Sequence, residues 1–255
     1  MPVISVVVPI SSAQYIPRLK ACLNSVREQD YPQHDIEILI TFLTKKERAL
    51  QSQRILLSCF CSDYDAELLE HVHDKPAWPP SLSRNVGYRR AEGDILVSLD
   101  ADGVLHRQTF QVAVDWMNNH KCAVRVRTSL VPKPPGDPLF FKLDPDDFNR
   151  SVDLGKKAPG PGSCILAPRE AVETIHGWDE AYVGYGPADW DFVERLDKAG
   201  WPVINLSAMN GIWSLHQHHK RILGTPLQHK NRAYHKKSKD KLTPVRNLKG
   251  WGGIA

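Results

Sequence analysis

Residues 4–10 read Ile-Ser-Val-Val-Val-Pro-Ile, the near-continuous β-branched run that a strand buried on both faces of a parallel sheet requires. Pro9 and Ser11-Ser12 end it. Residues 16–28 then place Ile16, Leu19, Leu23 and Val26 at the three- and four-residue spacing of a helix. Tyr31-Pro32 stops that helix, and 36–42 predicts a second apolar strand, so the opening is a βαβ unit with a right-handed crossover. Further along, the pattern predicts a helix over 50–57 and a short strand over 66–72. A helix over 83–92 follows, capped by Ser83 and closed by Gly93, and then a buried strand over 94–99. A helix over 110–119 and one strand over 123–131 come next, followed by a loop over 132–162 rich in Pro, Gly and Asp. Helical turns at 171–175 and 189–199 and a strand at 203–206 complete the pattern. After Pro226 the chain is polar, and order there is expected only with substrate bound.

Composition narrows the classes. The 255 residues suit one large α/β domain or two small lobes, and 42% apolar with 24% charged residues is ordinary for a globular chain. A formal charge of +4 is too small to argue for nucleic acid. The excess gathers in 220–249, among His218, His219, His229 and His235, where it would meet phosphates, acidic glycans or an anionic membrane surface, or remain a solvated face. Five scattered cysteines do not form a disulfide framework, and Cys59-Phe60-Cys61 lacks a second pair for zinc. The longest apolar run has only eight residues, far below the ~20 needed to span a bilayer, and no basic n-region precedes it. The expectation is a soluble cytoplasmic protein, with peripheral membrane contact as an option; oligomeric state is open.

Asp100 and Asp102 follow the 94–99 strand directly, and residues two apart in extended chain point to the same side. Two carboxylates at the carboxyl end of a parallel strand lie where open α/β sheets bind ligands. Their mutual repulsion invites a hard divalent cation, which commonly bridges to substrate phosphates.

The stretches Ser5-Val6-Val7-Val8-Pro9-Ile10, Ser83-Arg84-Asn85-Val86-Gly87-Tyr88-Arg89-Arg90-Ala91-Glu92-Gly93-Asp94 and Leu99-Asp100-Ala101-Asp102 together resemble the GT-A glycosyltransferases of family two. Gly177-Trp178-Asp179-Glu180 and Tyr185-Gly186-Pro187-Ala188-Asp189-Trp190-Asp191-Phe192, with Arg195-Leu196, are similar to the carboxyl-terminal block of galactosyl- and N-acetylgalactosaminyltransferases. The resemblance spans residues 3–219 and reaches faintly to Gly250-Trp251-Gly252. It implies a GT-A fold, with a Rossmann-like, mostly parallel central sheet flanked by helices. Residues 1–219 would form one catalytic domain, 1–105 binding nucleotide and 106–219 the donor sugar and acceptor, with 220–255 as a basic extension. It further implies inverting transfer of a hexose from a UDP-sugar to a glycan hydroxyl, with Mn2+ or Mg2+. Carried onto this chain, Asp100 and Asp102 hold ribose and metal, His216 completes the metal site, and Asp189 is the catalytic base. Pro9, Arg84, Asn85 and Ala101 lie beside the nucleotide-sugar. Trp178, Asp179, Asp191, Gly162 and His219 shape the sugar and acceptor pocket. The segments 132–162 and 226–250 are the expected lids.

Two departures bear on substrate. Relatives carry an acidic pair after the second strand, where this chain reads Ile40-Thr41-Phe42-Leu43-Thr44, so Asp74 becomes the candidate for the base, or the donor is not a uridine nucleotide. Relatives also have Glu-Asp where this chain has Ala188-Asp189. Plainer readings stand beside each role: Asp189 as a first-turn acid favoured by the helix dipole, Trp178 and Trp190 as packing aromatics, Arg84 as a surface cation. The competing functions are a non-catalytic nucleotide- or glycan-binding module and a sugar nucleotidyltransferase. The latter is disfavoured because no glycine-rich phosphate loop follows the first strand.

Overall fold

β1 (Ile4–Ile10) is buried at all seven positions, and its alternate side chains enter opposite layers. Ile4, Val6, Val8 and Ile10 join the cluster under α1 (Ile16–Arg27), whereas Val7 joins the one under α3 (Pro80–Arg90). The computed structural model of the chain describes residues 1–45, 51–130, 148, 156–157, 164–217, 224–238, 240 and 243–253.

Among these, β1 pairs in parallel with β2 (Ile36–Lys45), and β2 with β3 (Glu67–His73), reached through α2 (Gln51–Asp63). The chain then crosses back through α3 and lays β4 (Ile95–Leu99) on the other side of β1, again parallel. After β5 (Gly103–Leu105), α4 (Thr109–Asn119), β6 (Ala123–Val126), β7 (Thr128–Leu130) and β8 (Lys156–Lys157), β9 (Cys164–Pro168) enters antiparallel between β4 and β6. Next come α5 (Arg169–Thr174), α6 (Ala188–Lys198), β10 (Val203–Asn205), α7 (Leu206–Met209), β11 (Ser214–His216) and α8 (Pro226–Ser238). The seven-stranded sheet has the order β10-β6-β9-β4-β1-β2-β3, and a smaller sheet the order β5-β11-β7-β8. Helices α1, α2 and α4 cover one face of the large sheet, and α3, α5 and α6 the other, a three-layer α/β/α arrangement. Strand order reverses between β1 and β4, and the crevice at the carboxyl ends of these two strands is where such sheets take ligands.

Four expectations are corrected here. Helix α3 begins at Pro80, not at Ser83, because proline needs no amide partner in the first turn. Ser83 lies inside the helix, and its hydroxyl bonds Thr41 Oγ1 at 2.9 Å instead of capping. The helix ends at Arg90, with Gly93 beyond it. The single strand expected over 123–131 is two strands in different sheets, broken at Arg127, whose amide is taken by Ser207 Oγ at 2.9 Å. The polar stretch after Pro226 forms α8, whose Gln228, Asn231 and Ser238 are buried. The 132–162 loop lies almost wholly outside the described residues, as do Gly162, His218 and His219. Among the described residues, no helix is long and apolar enough to cross a membrane.

Candidate active site

Arg84 organises the crevice. Its Nε donates to Ser98 Oγ at 2.7 Å and its Nη2 to Asp100 Oδ1 at 2.8 Å, while the same Nη2 stands 3.8 Å from Asp189 Oδ1. Ser98 and Asp100 are two apart on β4 and its extension, so one arginine reads one side of that strand. The close approach of α3 to β1 makes this reach available. Gly87, one turn after Arg84, packs directly on Val7, and a Cβ there would collide with both Val7 methyls.

Asp189 sits in the first turn of α6, and its side chain is 33% exposed. Phe192, on the same helix face, stacks on Trp178 with centroids 4.1 Å apart and planes within 1° of parallel. The other face of Trp178 carries the Arg84 guanidinium, 4.4 Å from the ring centroid. Arginine, tryptophan and phenylalanine thus stack in succession, and the arginine at one end meets both carboxylates. Withdrawal from water pushes the Asp189 carboxyl above its ordinary range, with Arg84 pulling it back. Asp100 is likewise pushed up by desolvation, opposed by Arg84 and reinforced by Asp189 and Asp102.

Asp102 Oδ2 faces His216 Nε2 at 3.5 Å. β11 brings the histidine there by pairing antiparallel with β5, His216 opposite Gly103, and the Gln217 amide donates to Asp102 O at 2.9 Å. His216 Nδ1 donates to Gln217 O at 2.9 Å, which leaves Nε2 as the ring nitrogen that faces Asp102. A carboxylate and an imidazole nitrogen suit a divalent cation. The expected three-ligand set is divided, however, because Asp100 is turned to Arg84. Among the described residues, no three His, Cys, Asp or Glu side chains converge as a cage. A cation held by Asp102 and His216 would take its remaining oxygens from the substrate diphosphate and water, as magnesium-type ions commonly do.

Other expected site residues stand apart from the crevice. Asn85 is fully buried on the far side of α3. It exchanges two hydrogen bonds with the Trp178 backbone, Nδ2 to O and N to Oδ1, both 2.8 Å, and donates to Glu180 Oε1 at 2.8 Å. Trp178 is 1% exposed and supports Arg84 instead of meeting a sugar. Asp179 is buried and takes the Tyr234 hydroxyl at 2.8 Å, with Arg246 Nε at 3.3 Å. Asp191 is locked to Arg195 at 2.7 Å, both side chains 2% exposed, and Arg195 also holds the carbonyls of Ile175 and Gly177. Pro9 and Ala101, by contrast, are buried at the carboxyl end of β1 and just after β4, at the crevice itself, and Asp74 is exposed just past β3. Tyr185 and Trp190, on either side of Asp189, are exposed aromatics. The sequence reading missed Ser98, which the two-residue spacing from Asp100 would have revealed. It also missed Arg246 and Asn247, for which no local signal exists.

Comparison with known proteins bears on the family and the fold. Residues 5–175 match the pattern described as Glycosyl transferase family 2, and 156–219 the one described as the N-terminal domain of galactosyltransferase. The chain is 24% identical over 168 residues to the UDP-forming cellulose synthase catalytic subunit of Komagataeibacter sucrofermentans, covering 58% of this chain and 20% of that protein. It is 27% identical over 120 residues to the poly(ribitol-phosphate) beta-N-acetylglucosaminyltransferase TarS of Staphylococcus aureus, covering 46% and 19%. It therefore spans only about a fifth of the length of these relatives. Among solved structures, the mannosyltransferase PcManGT of Pyrobaculum calidifontis, in complex with GDP-Man and Mn2+, aligns with TM-score 0.59 at 21% identity, covering 86% of this chain and 58% of that one. S. aureus TarS 1–349 with UDP-GlcNAc aligns with TM-score 0.59 at 16% identity, covering 86% and 60%. An α/β sheet reversing at β1 and β4, with acidic groups at the reversal and a family match over most of its length, makes this chain a member of glycosyltransferase family 2 with the GT-A fold.

Proposed function

We propose that the chain is an inverting hexosyltransferase that moves galactose, N-acetylgalactosamine or glucose from a UDP-sugar to a glycan hydroxyl, with Asp189 as base. The observation that carries this is the single guanidinium shared by Asp100 at 2.8 Å and Asp189 at 3.8 Å, which joins the nucleotide end of the crevice to the acceptor end. The acceptor oxygen attacks the anomeric carbon as the bond to the diphosphate breaks on the opposite face, and the hydroxyl proton passes to the Asp189 carboxylate. Arg84 keeps that carboxylate ionised in a partly dehydrated cleft and orients Asp100. Asp102 and His216 would hold Mn2+ or Mg2+, which when bound supplies Lewis-acid stabilisation of the departing diphosphate. Trp178 and Phe192 hold Arg84 at its place, and Tyr185 and Trp190 offer apolar faces to an acceptor pyranose.

The test is a donor panel of UDP-galactose, UDP-N-acetylgalactosamine, UDP-glucose, UDP-N-acetylglucosamine and GDP-mannose, read by released nucleotide with manganese. Asp189→Asn is expected to lose about 10²–10⁴ in kcat while retaining UDP affinity by calorimetry, the range a positioned general base contributes. Equal turnover of variant and wild type would remove Asp189 from its role, and absence of nucleotide release from every donor would remove the transferase reading in favour of a binding module. A guanosine nucleotide remains the second reading. It is favoured by the sequence Ile40-Thr41-Phe42-Leu43-Thr44, which carries no acidic side chain and whose Thr41 is already engaged with Ser83.

A further inference from the structure

The segment 243–253 lies beyond both family matches, yet it bonds residues 176–180, the turn that carries the stacked Trp178. Asn247 Nδ2 donates to His176 O at 2.8 Å and to Trp178 O at 2.7 Å, and its Oδ1 accepts from the Glu180 amide at 3.1 Å. Arg246 is 7% exposed; its Nε stands 3.3 Å from Asp179 Oδ2, and its Nη1 returns to Thr243 O at 2.8 Å. Gly252 N donates to Glu180 Oε1 at 2.7 Å, the oxygen that Asn85 also meets. The Trp251 ring packs on Gly177, where φ is +66° and a Cβ would strike both that ring and Asn85 Oδ1. Residues 176–180 are therefore gripped from outside by this strap and from inside by Asn85 and Arg195.

We propose that Asn247 and Arg246 are positioning residues for transfer: by fixing the backbone of residues 176–179 they hold the Trp178 ring at the height on which Arg84 rests between Asp100 and Asp189. The proposal rests on the reading of Asp189 as base. Three links carry it: Asn247 to the Trp178 carbonyl, the Trp178 ring to the guanidinium at 4.4 Å, and the guanidinium to the two carboxylates. A strap serving only stability would have no reason to converge on the two residues on either side of the stacked tryptophan. Asn247 and Gly252 bond His176, Trp178 and Glu180 and Arg246 places its charge on Asp179, in the turn that presents the ring, while Arg246 also ties the strap to Ile175 O and Ser238 O.

The test uses the full chain with Asn247→Ala, Asn247→Asp, Arg246→Met and Arg246→Lys, and Val114→Ala in the core under α4 as a control for lost stability. Asn247→Ala and Arg246→Met are expected to lower kcat about tenfold or more, with donor KM within about threefold of wild type, since small misplacements act on the reacting geometry. Arg246→Lys, which keeps the charge opposite Asp179, is expected to recover most of the loss. Asn247→Asp retains the acceptor for the Glu180 amide and loses both donated bonds, so the same fall in kcat is expected of it, and it replaces the alanine variant if that one fails to fold. The Nε–H resonance of Arg84, which donates to Ser98, supplies a readout independent of turnover: slow exchange in wild type and Val114→Ala, fast exchange in the strap variants. Loss of kcat that merely tracks the melting temperature, as in Val114→Ala, overturns the proposal. So does an Arg84 resonance equally protected in wild type and Asn247→Asp. A wild type that releases no nucleotide from any donor sinks the transferase reading alone, because the resonance still decides the strap.

Discussion

With Asp189 in the proposed role of base, Arg84 and Asp189 would set the pH behaviour of the site. Asp189 has its carboxyl raised by desolvation and lowered by Arg84, and a base must be unprotonated to accept the acceptor proton. kcat/KM is therefore expected to fall as pH drops through the raised Asp189 value, placing the acid limb above the ordinary carboxylate range. Removing the guanidinium removes the downward influence identified among the described residues, so Arg84→Met is expected to move that limb to higher pH, as well as lowering the plateau; a pH profile on saturating manganese checks both. A limb that stays fixed, or moves to lower pH, would mean that another group titrates. At this scale, Asp100, Asp102, Asp189 and His216 were legible because acidic residues just after a buried strand and a matched motif order constrain position. The directions of Asn85, Trp178, Asp179 and Asp191 were not legible. Each belongs to the same motifs, but hydrogen bonding to a backbone 93 residues away, or pairing with Arg195, turns the side chain into the core.

Among the elements, α3 bears the most chemistry per residue, and its position depends on Gly87 lying against Val7. Gly87→Ala must displace the helix from β1 or compress the sheet, at about 1–3 kcal/mol of overpacking. Denaturant melts are expected to show a loss in that range, together with a fall in kcat, because Arg84 rides on the displaced turn. A variant as stable and active as wild type would show that the helix has room to spare. The run of strands was readable from β-branched stretches, since period and burial are local properties. The start of α3 was misplaced by three residues because Ser83 was taken for a cap when its hydroxyl had a partner in β2, whereas Pro80 opens the first turn. The break at Arg127 escaped the pattern altogether: the residues on both sides are extended and largely buried, and only tertiary pairing sends them to different sheets.

For the whole molecule, Asp102 follows the large sheet and His216 ends a strand of the small one, so a ligand gripping both ties the sheets together. Nucleotide and manganese at about a hundred times their dissociation constant would stabilise the folded chain by about 2.7 kcal/mol, a rise in melting temperature on the order of 5–10 °C for a chain of this size. His216→Ala is expected to remove most of the manganese-dependent part of that rise and leave the melting point without ligand within a few degrees. An undiminished rise would place the cation elsewhere. The carboxyl-terminal helix and strap were invisible to pattern reading because their composition is polar and basic. What orders them is specific bonding, Tyr234 and Arg246 to Asp179 and Asn231 to the carbonyls of Val183 and Tyr185, rather than an apolar stripe.

The kink at Arg127 has a practical corollary for chimeras. With one residue between the last rung of one sheet and the first of the other, and that residue's carbonyl accepting from Ser214, no slack exists in which to splice a foreign acceptor half. A functional graft must carry β5 with the Asp102 turn before it, β6, β7 and β11 as a single block, and exchanging specificity with a relative by cutting at that bend would sever the imidazole from its carboxylate.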